Sequence, residues 1–394
     1  MADRERPALY ISHNGADTPL VQSQVIPYLD GLVARGFPVE LFTFERASRP
    51  AGPPSSHFRW HPLTGRSGAG LLDKAIDLFR GTSAVLATAI KRRAAFTHAR
   101  SYVPAAVAYG VYVLTRRPYL FDMRGFLPQE YVDAGYWTTS DIRYRALRFA
   151  ERVLLANARE IVVLTHRAAA VLREDRAYAA ARNARITVIP CAVDLERFRP
   201  VRTTGRPPTL VYSGSLGSWY ELGPMLRLYA LARRELPDLR MLVLNQREHE
   251  LVRSTAASLG IRDGIELRAV APSDVPASLN EADVAIALIR QAPSKLASSA
   301  VKVSEYLACG LPTIVNRGLG DVSEAIGETG SGFVLKDFSD AELALGAAAL
   351  ARLIGSPAAS ANARRLAERD YDLAQGIAAY AEVYERLGSS RRDR

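Results

Sequence analysis

The chain has 394 residues, 48% of them apolar and 23% charged, with a formal net charge of +10. At roughly 100–200 residues per domain this is a globular chain of two or three domains, and the mixture excludes a disordered, collagenous or coiled-coil protein. Two cysteines, Cys191 and Cys309, are too few for a disulfide framework or a cysteine zinc site and are expected as small buried apolar residues. No apolar run reaches the ~18 residues that cross a bilayer. The first residues (MADRERPALYIS) lack a signal-peptide core, so the expected location is cytoplasmic.

The excess charge is almost all arginine: only Lys74, Lys91, Lys295, Lys302 and Lys336 are lysines. No basic block is interleaved with aromatics, which argues against a nucleic-acid groove. Anionic lipid head groups or phosphorylated substrates fit the charge equally well.

Short β-branched runs alternate with longer helical patterns, which predicts an α/β chain. Residues 8–12 (ALYIS) read as a strand. Residues 19–35 read as a helix, with Val21, Val25, Ile26, Leu29, Leu32 and Val33 at helical spacing and Gly36 closing it. Pro27 inside that pattern demands a kink or a late start. Residues 39–44 are the next strand, 48–66 a Pro/Ser/Gly-rich loop and 71–93 a helix. Strands follow at 118–123, 160–165 and 185–190. At 199–208 (RPVRTTGRPP) the composition shifts, and the interdomain linker is expected there. Alternation then resumes, with strands at 209–213, 239–245, 264–270, 284–289 and 312–316 and helices at 224–235 and 248–259. The tail, 343–387, reads as helical with one break near 355–357. Two such halves predict a ligand cleft at the carboxyl ends of both sets of strands.

Several chemistries lose their fingerprints. The loop after the first strand is HNGADTP, not a G-x-G-x-x-G, and neither a P-loop nor a G-x-S-x-G elbow occurs. The six histidines form no H-E-x-x-H, and there is no Asp-x-Asp pair, so no metal is expected.

The informative stretch is PSKLASSAVKVSEYLACGLPTIVNRGLGD, residues 293–321. Ser298 and Ser299 are expected to cap a helix running through Leu307 and Ala308, closed by Gly310. Lys302 lies in its first turn and Lys295 just before it, so two of five lysines flank one helix start, a plausible diphosphate cradle. Glu305, three residues after Lys302, shares its face and suits a vicinal diol such as a ribose. The plainer reading is a solvated, ordinarily capped helix. Gly214 and Gly217 follow a strand and let backbone approach phosphate, or merely make a tight turn. Trp219 and Tyr220 are expected to pack under that loop. Asp122 and Arg124 end a strand, where cleft residues or an ion pair belong. Asn14, Gly15 and Asp17 follow the first strand toward the same cleft. The 71–93 helix, with Lys91, Arg92 and Arg93 at its end, touches a membrane surface or simply has a solvated face.

VKVSEYLACGLPTIV resembles the nucleotide-binding signature of glycosyltransferase family 4, and VYSGSLGSWYELGPML resembles the glycine loop opening that family's C-terminal domain. EIVVLTHRAAAVL and ITVIPCAVDLERF resemble its approach to the linker. The N-terminal SHNGADTPLVQSQVIPYLDGLVARGFPVELFTFE and the central PYLFDMRGF resemble a bacterial polysaccharide-assembly subgroup. The resemblance implies a GT-B fold: two Rossmann-like α/β domains facing each other across a cleft. It implies an acceptor domain at 1–200, a nucleotide-sugar domain at 201–372 and a C-terminal helix, 373–394, crossing back to the first.

The implied activity is metal-independent transfer of a sugar, with retention, from a nucleotide sugar to a glycan or lipid-linked acceptor at the inner membrane face. In that reading Gly214, Ser215, Gly217, Lys295, Ser298, Ser299, Lys302 and Glu305 hold the donor. Asn14, Gly15 and Asp17 hold the acceptor, and Asp122, Arg124, Lys302 and Glu305 serve catalysis. No cofactor beyond the donor is implied, nor any nucleic-acid partner. The chain departs from the pattern at three points. The first family glutamate falls on Ala297, and the usual Arg and Lys after the glycine loop fall on Ser215 and Tyr220. The loop comparable to that of the family's histidine reads Asp122-Met123-Arg124-Gly125. Lys295, Lys302, Arg290 and Arg124 are the candidates to replace the missing charge. The rival readings are a nucleotide-sugar epimerase of similar shape and a non-catalytic binding or scaffold protein.

Overall fold

The computed structural model describes residues 6–45, 52–64, 71–201, 205–217 and 219–389, with side chains at all of these but 71, 72 and 74. Parts of the expected loop at 48–66 and of the expected linker (202–204) lie outside the described residues. The chain divides into two compact units: residues up to Pro190 with those from Ala374 onward, and Cys191–Leu373. The first division therefore falls upstream of the Pro/Gly-rich stretch at 199–208, where composition had put it.

In the first unit the order is β1 (Ala8–Ser12), α1 (Pro19–Gln24), α2 (Ile26–Ala34), β2 (Val39–Glu45), β3 (Arg59–Thr64), α3 (Leu71–Lys91), β4 (Phe96–Arg100) and α4 (Tyr102–Thr115). It continues with β5 (Tyr119–Asp122), α5 (Leu127–Asp133), α6 (Ile142–Asn157), β6 (Glu160–Val163), α7 (His166–Glu174) and β7 (Arg185–Val188). The second unit contains β8 (Thr209–Ser213), α8 (Leu222–Ala232), β9 (Arg240–Leu244), α9 (His249–Ser258), β10 (Ile265–Arg268), α10 (Val275–Leu279), β11 (Val284–Ala287) and α11 (Val301–Ala308). Then come β12 (Thr313–Asn316), α12 (Val322–Thr329), β13 (Gly332–Leu335), α13 (Asp340–Leu353) and α14 (Pro357–Asp370); α15 (Leu373–Ser389) ends the described chain and groups with the first unit.

Both sheets are parallel, in the orders β3-β2-β1-β4-β5-β6-β7 and β10-β9-β8-β11-β12-β13. In each the strand order reverses once, between β1 and β4 and between β8 and β11, and the crevice outside the carboxyl ends at such a point is where α/β sheets bind ligands. The central strands of the second sheet are apolar on both faces because helices cover both. In β8 and β11, Val211, Ala285 and Ala287 enter one core layer, while Leu210, Tyr212, Val284 and Ile286 enter the other.

Several local expectations need correction. The helix over 19–35 breaks at Val25 (φ −128°, ψ −61°), so that Pro27 sits in the first turn of α2, where its missing N–H costs nothing. Residues 59–64 form an edge strand rather than loop. Trp60 Nε1 donates to Thr43 (2.7 Å), and His61 stacks on Phe42 and bonds Glu40 (2.8 Å). Strand β4 (FTHAR) had no apolar alternation to reveal it; its polar side chains are buried at the centre of the sheet. The tail breaks a second time at 371–372, because Val193 takes the backbone there: its N–H donates to Tyr371 O (2.8 Å) and its carbonyl accepts from Leu373 (3.1 Å).

In the first unit α15 docks through Arg386, whose fork meets the buried Glu160 carboxylate at 3.0 Å on each oxygen. Gly332 is where the second sheet tolerates no side chain, since a Cβ there would overlap the Thr313 carbonyl oxygen of the paired strand. Gly332→Ala is expected to destabilise the protein by about 1–3 kcal/mol through overpacking, read as a lowered denaturant midpoint.

Candidate functional site

The second unit's switch point is built on Gly214. It follows β8 with φ +108°, a left-handed conformation that glycine adopts without strain. Its N–H donates to Leu244 O (2.8 Å), and its carbonyl accepts from Asn245 Nδ2 (3.0 Å). A Cβ at this position would lie 2.9 Å from Lys302 Nζ, so the missing side chain lets the ammonium rest on loop backbone. Ser215 and Gly217 are exposed, and Ser215 O accepts from the Tyr212 hydroxyl (2.6 Å).

Lys302 projects from the first turn of α11. Its Nζ donates to Tyr212 Oη (2.6 Å) and stands 3.5 Å from the Tyr220 ring centre and 4.1 Å from that of Tyr212. Tyr220 belongs to a short strap, residues 219–221, tied over the end of β11. Glu221 N–H donates to Leu288 O (2.9 Å) and Arg290 N–H to Trp219 O (2.7 Å). On the same strap Trp219 lies over Lys295, with Nζ 3.6 Å from its ring centre. Both aromatics pack, as expected, and each also faces a lysine, a cation–π arrangement. Burial pushes the Lys302 ammonium well below its usual range, against the opposing pull of Glu305 and Glu248. Burial pushes the half-buried Glu305 carboxyl up to about 7, and Lys302 and Arg197 hold it from rising further. Tyr306 anchors α11 to β8, its hydroxyl accepting from Ser213 N–H at 2.6 Å.

The helix start differs from expectation. Ala300, not Ser298 or Ser299, is the N-cap of α11, and no side chain caps it. Ser298 ends a short 3-10 turn, 293–297, and Ser299 Oγ accepts from Cys191 N–H (3.0 Å), with Ser304 Oγ donating to Cys191 O (3.1 Å). These serines fasten the start of the unit instead of closing the helix. Gly310 (φ +71°) does close it: its N–H reaches Leu307 O and Leu311 N–H reaches Tyr306 O, a Schellman pair. Lys295 is buried, and Arg290 Nε bonds Glu221 (3.3 Å). Among the candidates for replacement charge in this unit, Lys302 is the one at the Gly214 loop.

In the first unit Asp122 and Arg124 form an ion pair at 3.2 Å, and His98 Nε2 lies 3.6 Å from the same carboxylate. Burial alone would raise the Asp122 carboxyl, but Arg124, His98 and Arg100 hold it well below the usual carboxylate range. Burial holds the His98 imidazole below its usual range despite Asp122, and Nδ1 pairs with Tyr384 Oη (2.9 Å). The loop after β1 leaves Asp17 exposed, Asn14 half-buried and Gly15 buried. Glu45 holds that loop, accepting from Ala16 N–H (3.0 Å) and leaving no room for a side chain at Gly15. Sequence reasoning missed Glu45, Glu248, Tyr212, His98 and Arg100; of these, Glu45 and Arg100 end their strands, a position that could have flagged them, while His98 and Tyr212 lie within strands and Glu248 in the loop after β9. Among the described residues no three His, Cys, Asp or Glu side chains are grouped to hold a metal ion.

Two family models match the chain, described as Glycosyltransferase Family 4 over residues 21–197 and Glycosyl transferases group 1 over 194–368. No curated protein matches the sequence. Among solved structures, sucrose-phosphate synthase from Thermosynechococcus elongatus is similar with a TM-score of 0.75 and 16% identity, covering 97% of this chain and 99% of that one. HepE from Anabaena, in complex with UDP and glucose, gives 0.68 and 14%, covering 96% and 99%. WaaG, a glycosyltransferase involved in lipopolysaccharide biosynthesis, gives 0.69 and 16%, covering 95% and 99%. The two parallel-sheet units are the GT-B fold. The chain belongs to the family 4 glycosyltransferases.

The electrostatics of the Gly214 loop make a prediction independent of any ligand. Lys302→Met removes the cation that lowers Glu305, so that carboxyl should titrate above 7 in the variant, read by NMR of the labelled glutamate carboxyl carbon.

Proposed function

We propose that the protein is a retaining, metal-independent glycosyltransferase that moves a sugar from a nucleotide donor to a glycan or lipid-linked acceptor. The observation that carries the reading is the Lys302 ammonium seated against Gly214 at the β8/β11 switch point, with Glu305 one turn further on the same helix. Lys302 and the uncapped start of α11 meet the donor diphosphate, and Glu305 accepts hydrogen bonds from the ribose diol. As the bond from the anomeric carbon to the phosphate oxygen breaks, negative charge grows on the leaving diphosphate, and a preorganised ammonium stabilises it there. The acceptor oxygen bonds the anomeric carbon on the same face, and its proton passes to the leaving phosphate, so no enzyme nucleophile is required. Lys302 supplies the charge a metal would otherwise bring. The acceptor belongs to the first unit, near Asn14–Asp17 and Asp122–Arg124.

A lipid-linked acceptor suits the first unit's surface. Exposed Phe79 and Ile90 on α3, Val113 and Leu114 on α4, and Ile142 and Phe149 on α6 stand on helices that pack side by side. Exposed Arg80, Lys91, Arg93, Arg116, Arg145 and Arg152 accompany them, while no described Asp or Glu between residues 75 and 157 is exposed. Apolar side chains among cations of one sign fit an anionic bilayer surface. No single described helix is long and apolar enough to cross a membrane.

Calorimetry with UDP, GDP, ADP and dTDP tests the donor site. One of them should bind, and Glu305→Ala should weaken it about tenfold or more, the loss of about 1.4 kcal/mol or more that a charged hydrogen bond carries. Lys302→Ala should lower turnover more than nucleoside affinity. Donor affinity should rise as pH passes about 7 and Glu305 ionises, then fall at a pH below the usual lysine range, because burial makes Lys302 lose its proton early. Turnover should survive EDTA and yield the retained anomer; conversion of the donor without an acceptor would identify an epimerase instead. For the surface, Phe149→Glu with Leu114→Glu should abolish co-sedimentation with phosphatidylglycerol vesicles and leave nucleotide affinity intact.

A further inference from the structure

One side chain holds the Gly214 turn from behind. Asn245, the residue after β9, is 2% exposed, and its amide uses its whole bonding capacity. Nδ2 donates to Gly214 O (3.0 Å) and to Glu248 Oε2 (2.5 Å). Oδ1 accepts from the N–H groups of Arg247 (2.9 Å) and Glu248 (2.6 Å). The orientation of the amide is thereby fixed, since turning it over would set its donors against two N–H groups and its oxygen against a carbonyl and a carboxylate. The backbone of Asn245 is fixed as well: its N–H donates to Arg268 O (3.0 Å), and its carbonyl meets His249 Nε2 (2.7 Å). An acid in this place would bring a second negative oxygen to Glu248, and a hydroxyl would not reach both sides.

This amide joins two parts of the site that are far apart in the chain. On one side is Gly214, whose missing Cβ leaves room for Lys302 Nζ. On the other is Glu248, a half-buried carboxylate whose charge acts on both Lys302 and the Tyr212 hydroxyl. The ammonium is faced by Tyr212 from β8 and Tyr220 from the strap, and the negative charge acting on it comes from Glu305 on its own helix and Glu248 in the loop after β9. Burial pushes both phenols up, so neither ring carries charge. Lys295 faces Trp219 on the same strap, and His249 is turned to the Asn245 carbonyl. The two glutamates therefore oppose the burial that drives Lys302 to lose its proton, and one of them is placed by Asn245.

We propose that Asn245 is a positioning residue for this site: its amide fixes the Gly214 turn and, through Glu248, keeps negative charge beside the Lys302 ammonium, so that the cation is charged and in place before the donor diphosphate arrives. The diphosphate's part in this rests on the reading under Proposed function; the charge held beside Lys302 in the ligand-free protein does not.

The test uses the full chain labelled with carbon-13 at the lysine Cε atoms. It has five lysines, and the Lys302 signal is assigned by its loss in Lys302→Met. Glu248→Gln keeps the bond from Asn245, because the glutamine oxygen also accepts it, and removes only the charge. In the ligand-free variant Lys302 should titrate at a lower pH than in the unmodified chain. Asn245→Ser keeps a hydroxyl for the backbone N–H groups and removes the amide that reaches Gly214 and Glu248. It should shift Lys302 the same way, and Glu248→Gln added to it should shift Lys302 less than Glu248→Gln does alone, because the two residues act as one unit. An unmoved Lys302 in Glu248→Gln overturns the proposal. So do fully additive shifts in the double variant, or failure of Asn245→Ser to fold, because the amide would then be holding the fold and not the charge. For whichever of UDP, GDP, ADP and dTDP binds, the alkaline fall in affinity should move in Glu248→Gln by the same pH interval as the Lys302 signal. A Lys302 shift with no movement of that fall would sink the donor reading and leave the placement of charge standing.

Discussion

The placement of one ammonium group organises the second unit. Lys302 occupies the space a side chain at Gly214 would fill, between the rings of Tyr212 and Tyr220. For that to happen, β8 must end in a left-handed residue, the 219–221 strap must be tied to 288–290, and Tyr306 must pin α11 to Ser213. Each of these is a backbone or ring contact with little freedom. The cation is thus held in place by the fold itself, and under the proposed function such preorganisation is the condition for a large electrostatic contribution to catalysis.

The two switch points solve the problem of a buried cation differently. In the second unit aromatic faces and two glutamates, Glu305 and Glu248, make a partly dehydrated lysine tolerable, and the lysine's readiness to lose its proton is the remaining cost. In the first unit Arg124 pairs with Asp122 and Arg100 helps hold that carboxyl low, while among the described residues the buried Arg100 Nε has no hydrogen-bond partner. Both arrangements give up stability at the carboxyl ends of the strands, while most of the strand residues behind them are buried and apolar. That division between a stable scaffold and a costly rim is what a ligand-binding α/β unit requires.

The sequence errors cluster where polar side chains do structural work. FTHAR shows no strand pattern, yet it is the neighbour of β1, because His98 is buried against Asp122 of β5 and Tyr384 of α15, which lie far away in the chain. The Pro-containing stretch 59–64 becomes a strand through Trp60 and His61 reaching Thr43 and Glu40. Ser298 and Ser299 look like a helix cap by composition. Their hydroxyls instead had a competing demand from Cys191, more than a hundred positions earlier. Local propensity contains no information about such a competitor.

Chain order, apolar periodicity and glycine positions determined by themselves that this is a two-unit α/β protein, that a glycine loop follows β8 and that Lys302 and Glu305 share a helix face. Those properties are set by neighbours within a few residues, so a linear reading recovers them. Only the tertiary structure decided that Lys302 is caged by Tyr212 and Tyr220, that burial pushes the Glu305 carboxyl up to about 7, and that Asp122 is already paired with Arg124. Burial and pairing depend on which distant strands and helices converge on a point, and that is a property of packing rather than of residue order.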